Sequence, residues 1–262
     1  MRILKSVLLF GIISLGFSIS SQVVQPFAIR FQTNQKGGIT YVANTALTCN
    51  PSTNGCNTAT AFSTASSTQN SNNNNNWAMQ YVDVDGNPTT FMSSSDSLNL
   101  PQCSEITWAG LYWSASNTNN SSATPIGWAN RAQCKFKVNN GAYQSLTADN
   151  IINSNTGYLS YFCYKNITTI VQNAGIKARF TLADMICWTG GQNYAGGWTL
   201  VVVYKNTNMV DRNLTVFDGL AVVSNGNNTT IPISGFVTPL SGPVNFELGV
   251  VSLDGDRGST GD

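Results

Sequence analysis

The run Gly196-Gly197-Trp198-Thr199-Leu200-Val201-Val202-Val203-Tyr204 constrains this chain more than any other stretch. It is apolar over several consecutive residues, and its β-branched and aromatic side chains suit a pleated, buried surface. After the turn residues Asn206-Thr207-Asn208, a second strand-like run follows in Arg212-Asn213-Leu214-Thr215-Val216-Phe217-Asp218-Gly219. Residues 196–219 are therefore expected to form a hairpin at the core of a sheet. No group in it has catalytic character, so the strongest pattern in the chain specifies a rigid scaffold.

The same short-strand rhythm recurs on both sides. Phe27 to Phe31 and Ile39 to Val42 flank Lys36-Gly37-Gly38 and read as an opening hairpin. Trp77 to Val84 reads as a strand ended by Asp85-Gly86-Asn87-Pro88, and Ile106 to Trp113 is a second strongly apolar strand. Ala132 to Val138 and Tyr143 to Leu146 flank Asn139-Asn140-Gly141, whose residues tolerate the positive φ of a tight turn. Phe180 to Trp188, Leu220 to Val223, Ile231 to Ile233, Phe236 to Val237 and Phe246 to Leu253 continue the pattern. One short helix is expected from Ile167 to Ala174, with Asn166 as N-cap and Gly175 as its stop. These elements predict an all-β fold, a β-sandwich or jelly-roll-like architecture with one short helix.

The amino terminus is an export signal. Arg2 and Lys5 precede an apolar segment from Val7 to Phe17 and the small residues Ser18, Ser20 and Ser21. Residues 1–21 are thus a signal peptide, cleaved after Ser20 or Ser21, and residues 22–262 are one β-sandwich module. Residues 44–76, rich in Ser, Thr and Asn, form a mobile polar loop within it. No later segment has the length of a membrane-spanning helix. The chain closes on Asp254-Gly255-Asp256-Arg257-Gly258-Ser259-Thr260-Gly261-Asp262, a loop without a closing strand, which is expected of the front portion of a longer protein.

Of 13 basic residues, the signal peptide removes two, leaving 11 against 12 acidic ones and a net charge of −1. Charged residues make up only 10% of the chain and lie scattered, which argues against nucleic acid as a partner. Six cysteines in an exported chain read as disulfides. Cys49 and Cys56 are the expected pair, because Asn50-Pro51 and Gly55 favour a tight loop between them. Cys103, Cys134, Cys163 and Cys187 allow three pairings, and spacing does not choose among them.

The chain contains no histidine, so Ser-His-Asp and Cys-His mechanisms and histidine-ligated metals are excluded. Carboxylate chemistry remains, with Asp83, Asp85, Glu105, Asp149, Asp184, Asp211, Asp218 and Glu247 as candidates for a glycosidase pair. Asp83, Asp85 and Asn87 resemble half a calcium loop, and Asp254, Asp256 and Asp262 offer a second oxygen cluster; a plain turn is the competing reading of each. Calcium is the one cofactor these residues suggest. Trp108, Trp113 and Trp198 lie in apolar runs and are expected in the core, whereas Trp77 and Trp128, flanked by polar loops, are candidates for stacking sugar rings. Asp96-Ser97-Leu98 resembles the short O-glycosylation signal of exported Bacteroidota proteins, with Ser97 as acceptor.

Four motifs in fixed order resemble the amino-terminal region of very large Bacteroidota surface proteins. They are Trp108-Ala109-Gly110-Leu111-Tyr112-Trp113, Gly197 to Tyr204, Arg212 to Gly219 and Gly255-Asp256-Arg257-Gly258. That family, which includes mobile adhesins of gliding bacteria, joins a Sec signal and such a β-rich region to repeat arrays and a carboxy-terminal type IX secretion signal. The resemblance covers residues 27–262 and implies a non-enzymatic module of an exported cell-surface adhesin. It also implies surface, secretion or motility proteins as partners, and supplies no catalytic residue to carry over. Two alternatives come from other classes: a secreted carbohydrate-binding or carbohydrate-cleaving protein, with glycans as partners, and a structural subunit docking through a sheet edge.

Overall fold

The structure is a computed structural model describing residues 22–50, 52, 56, 77–117, 123–154, 159–222, 229–236 and 240–251. Residues 1–21, expected to be a signal peptide, most of the polar stretch before Trp77, and Asp254, Asp256 and Asp262 lie outside the described residues. The fold is all-β with one short helix. Among the described residues no helix is long and apolar enough to cross a membrane.

The apolar run becomes β11 (Tyr194–Asn206), which lies inside a six-stranded sheet between two long neighbours. One is β5 (Ser104–Asn117), which carries the predicted strand Ile106 to Trp113; the other is β1 (Gln22–Thr45). On the far side of β5 come β9 (Leu159–Asn166) and then β8 (Asn150–Ser154). β12 (Asp211–Val222) forms the opposite edge, paired to β1.

The expected hairpin of residues 196–219 does not form. β11 and β12 are both antiparallel to β1, so they run in one direction and follow each other along it. Gly37 to Thr45 pairs with β11, and Gln22 to Lys36 pairs with β12. The expected opening hairpin is likewise one continuous strand. Both errors have one cause: Lys36-Gly37-Gly38 offers turn chemistry, but its glycines serve close approach. A Cβ built on Gly37 would lie 1.9 Å from the Tyr204 carbonyl oxygen. Unreversed, β1 reaches far enough to pair with both later strands.

A four-stranded sheet covers one face. Its order is β4 (Ser93–Asn99), β10 (Lys177–Ala183), β6 (Gln133–Val138) and β7 (Gln144–Thr147). The β6–β7 hairpin forms around the expected Asn139-Asn140-Gly141 turn, but the positive φ falls on Asn139, at 51°, and not on the Asn140-Gly141 pair. Side chains alternating inward from both sheets make the sandwich core: Leu111, Trp113, Ala115, Trp198, Leu200, Val202 and Tyr161 face Phe136, Phe180 and Leu182. Phe136 and Phe180 stack with centroids 5.6 Å apart. α1 (Thr168–Ala174) closes one end with buried Val171; it starts one residue later than expected, so Ile167 and not Asn166 is its N-cap, while Asn166 Oδ1 accepts the Thr168 N–H. Gly175 stops it at φ 82°.

Smaller differences follow from loops that prevail over strand propensity. Of Trp77 to Val84 only β3 (Met79–Tyr81) forms, paired to β2 (Leu47–Cys49). Residues 184–191 leave β10 as an irregular crossover, begun by Asp184 at φ 58°. Ile231 to Phe236 and Leu240 to Val251 form no strand, and Phe246, Leu248 and Val250 are exposed.

The outer face of the six-stranded sheet is aromatic. A β-bulge between Ile29 and Phe31 turns Arg30 and Phe31 toward the same surface. Phe31 stacks on Trp108 at 5.4 Å, and the Arg30 guanidinium lies 4.2 Å from the Tyr164 ring centroid. Arg30 also donates twice to the Asp218 carboxylate, at 2.6 and 3.1 Å, and Tyr112 donates to it at 3.2 Å. The β1–β12 arm is thereby clamped onto the sheet.

Candidate functional site

A dense set of titratable side chains lies beside the four-stranded sheet. β6 alternates, so Cys134 and Phe136 point into the core while Lys135 and Lys137 face out. The loop from Asp83 to Met92 folds beside them through successive side-chain turns. Gly86 N–H donates to Asp83 Oδ1, Asn87 N–H to Asp85 Oδ1 and Thr89 N–H to Asn87 Oδ1.

Fully buried Ser93 ties the carboxylates together. Its Oγ lies 2.8 Å from Asp83 Oδ1 and 3.0 Å from Asp85 Oδ1, and it accepts the N–H groups of Val84 and Asp85. Tyr143 donates to Asp85 Oδ2, while Lys137 Nζ lies 3.4 Å from the same oxygen and 4.4 Å from the Tyr143 ring centroid. Beside them Lys135 Nζ pairs with Asp184 Oδ2 at 2.8 Å, and Asp184 Oδ1 accepts the Phe91 N–H at 2.9 Å.

Burial alone would push the Asp85 carboxyl up. The Tyr143 hydroxyl, the Asn87 amide and the Ser93 hydroxyl outweigh it and hold Asp85 well below the usual carboxylate range. Burial, then the bond to Asp85, pushes the Tyr143 phenol far above its ordinary value. At neutral pH the site thus pairs an ionised carboxylate with a protonated phenol. A glycosidase general acid needs a carboxyl shifted upward. Asp85 is shifted the other way.

The structure thus brings together Asp83, Asp85 and Asp184 from the carboxylate candidates and separates the others. Glu105 pairs with Lys205 at 2.7 Å, Asp149 with Lys165, and Asp218 with Arg30. Asp211 begins β12, and Glu247 is exposed in a segment that forms no strand. The oxygens of Asp83, Asp85 and Asn87 accept hydrogen bonds from protein N–H and O–H groups, with Lys137 supplying positive charge. Among the described residues no trio of acidic or cysteine side chains is placed to hold a metal. Lys135, Lys137 and Tyr143 were not singled out from sequence; alternation of Lys with Cys and Phe along residues 134–137 was the signal.

The two tryptophans expected to be exposed are not. Trp77 is 8% exposed and packs against the Cys49–Cys56 disulfide. Trp128 is half-buried: its ring lies 5.2 Å from that of Trp188 and 5.7 Å from that of Tyr161, with Arg131 over it at 4.3 Å. The core assignments hold, since Trp108, Trp113 and Trp198 are 5%, 1% and 0% exposed. Ser97 is exposed on edge strand β4, and its N–H donates to Asp96. Cys49 and Cys56 are bonded, with Cα atoms 5.9 Å apart. The remaining four, expected in disulfides, are not bonded to one another in this structure: Cys103 is exposed, and Cys134, Cys163 and Cys187 are buried.

Asp85→Asn removes the charge while keeping the shape. It is expected to cost about 2 kcal/mol at pH 7, the scale of a lost charged hydrogen bond in a largely buried group. Because Asp85 titrates lower in the folded chain than in the unfolded one, its stabilisation is full above the unfolded value of about 4 and fades as pH falls toward the folded value. Thermal melts at pH 7 and pH 3 should show the gap between the two proteins closing in acid. A gap independent of pH would remove Asp85 as its source.

Compared with known protein families, curated proteins and solved structures, the chain matches none.

Proposed function

We propose that this chain is a non-enzymatic, exported module of a cell-surface adhesin that binds a surface, secretion or motility partner. The observation that carries this is the Asp83–Asp85–Ser93–Tyr143–Lys137 network. Its carboxylate is held ionised, its phenol protonated, and its donors and acceptors are matched to one another, an arrangement suited to holding a surface in shape. The Cys49–Cys56 disulfide fits an oxidising destination, and the ordered motifs from Trp108 to Gly258 resemble the adhesin family.

Two measurements test it. In the source organism, where the protein is made in its native form, trypsin treatment of intact cells should release peptides from residues 22–262. The purified module should release no reducing sugar from a panel of plant, algal and bacterial polysaccharides. Retention of the chain inside intact cells, or sugar release that disappears in Asp85→Asn, would overturn the proposal.

A further inference from the structure

Three buried thiols share one core, and their places in the fold are unequal. Cys134 on β6 points inward from the four-stranded sheet, and Cys163 on β9 points inward from the six-stranded sheet. The chain joins the two sheets next to them. Leu146 is the register partner of Cys134 and Ile151 that of Cys163, so only the short connection through Thr147, Ala148, Asp149 and Asn150 separates their neighbours along the chain. That connection is pinned at both sides: Ala148 N–H donates to Ala132 O and Asp149 N–H to Tyr164 O, each at 2.8 Å. Cys163 Sγ lies 3.5 Å from the carbonyl oxygen of Arg131, three residues before Cys134. The two cysteines thus lie in the same core, one on each sheet, near enough for Cys163 to act electrostatically on Cys134.

The other two thiols lie elsewhere. Cys103 precedes β5 at the end remote from Trp113, the register partner of Cys163, which puts it roughly 30 Å away along the strand. Cys187 Sγ sits against Gly196 and Ala115, over the β11–β5 pair, where a Cβ on Gly196 would meet it at 2.6 Å. Cys163 is one strand further across and two residues along, a separation on the order of 8 Å.

We propose that Cys134 and Cys163 close a second disulfide that ties the two sheets together. The co-reactant is the disulfide of a thiol–disulfide oxidoreductase in an oxidising compartment. The two cysteine thiols give up two protons and two electrons, one S–S bond forms between them, and the oxidoreductase leaves as a dithiol. Burial pushes the folded Cys163 thiol up to about 12 and raises Cys134 as well, so the attacking thiolate is scarce once the core has closed. The bond therefore forms while the chain is folding, and the reduced folded protein oxidises slowly.

Peptide mapping tests this on the full chain exported to the periplasm of an expression host, using material in which Cys49 and Cys56 are found linked. Free thiols are alkylated under denaturing, non-reducing conditions before trypsin digestion. The expected products are a linked pair, Ala132–Lys135 joined to Val138–Lys165, with alkylation confined to Cys103 and Cys187. Alkylation of all four cysteines, or a linked peptide containing Cys187, would overturn the proposal. Thermal melts give an independent arm: Cys134→Ala, Cys163→Ala and the double variant should lower Tm by the same amount, because each breaks the same bond. Losses that add would show two separate core thiols.

Discussion

Gly37→Ala is expected to destabilise the fold by about 3 kcal/mol or more, the upper range for a single substitution. Gly37 stands where β1 passes from its pairing with β11 to its pairing with β12, opposite Lys205. The added methyl would sit 1.9 Å from the Tyr204 carbonyl oxygen and 2.8 Å from the Lys205 Cα. Both are backbone atoms, so relief requires the strands to part where the sheet is held on both sides. The carbonyl of Gly37 also accepts a hydrogen bond from Arg212 at 2.7 Å, so movement would loosen β12 as well. Gly86→Ala is the comparison: its φ of 56° is strained for alanine, but nothing lies within 4 Å of the new methyl, and about 1 kcal/mol is expected. Urea unfolding of both variants checks the ranking, and a Gly37→Ala protein as stable as the parent would contradict the close approach described for β1.

Trp198→Ala should cost as much or more, about 4 kcal/mol. The indole is completely buried in the middle of β11, opposite Trp113 on β5. Its removal leaves a cavity that a sheet paired on both sides has little freedom to fill. It also crosses the sandwich: Trp198 Nε1 donates to Ser94 Oγ at 2.7 Å, joining the six-stranded sheet to β4 of the four-stranded one. Two terms are therefore lost together, apolar packing and a buried hydrogen bond. Ser94→Ala isolates the second, leaving the indole N–H unpaired, and is expected to cost about 1–3 kcal/mol. Denaturant midpoints for the two variants separate the terms; equal midpoints would mean that the indole packing contributes nothing beyond its hydrogen bond.

Strand positions were largely legible because local side-chain alternation fixes them. Val201 to Val203, Trp108 to Trp113 and the Asn139-Asn140-Gly141 turn each state their structure within a few residues. Partner choice was not legible, because it depends on what lies far away in sequence. Asn206-Thr207-Asn208 offers a turn, but the ladder of β1 against β11 and β12 buries more than a local hairpin would, and no short window contains that comparison. The site was half legible. Asp83, Asp85 and Asn87 carry the composition of a calcium loop, and their turn geometry is as read; what the loop faces is set by Lys137 and Tyr143, more than 50 residues away. Trp77 shows the same limit, since its polar neighbours indicate solvent and the disulfide it packs on arises from a different segment.

The strand β1 also has a consequence in time. Every one of its pairings joins residues about 150 to 200 positions apart, from Thr45 with Gly197 to Gln22 with Val222. The first strand of the domain to be synthesised is thus among the last to find its partners, and the largest sheet has no stable intermediate made from the amino-terminal half alone. Loops of that length make closure slow and keep the emerging chain open until its final strands arrive. A protein built this way completes its largest sheet only once its last strands exist, and its opening strand acts as the latch that closes it.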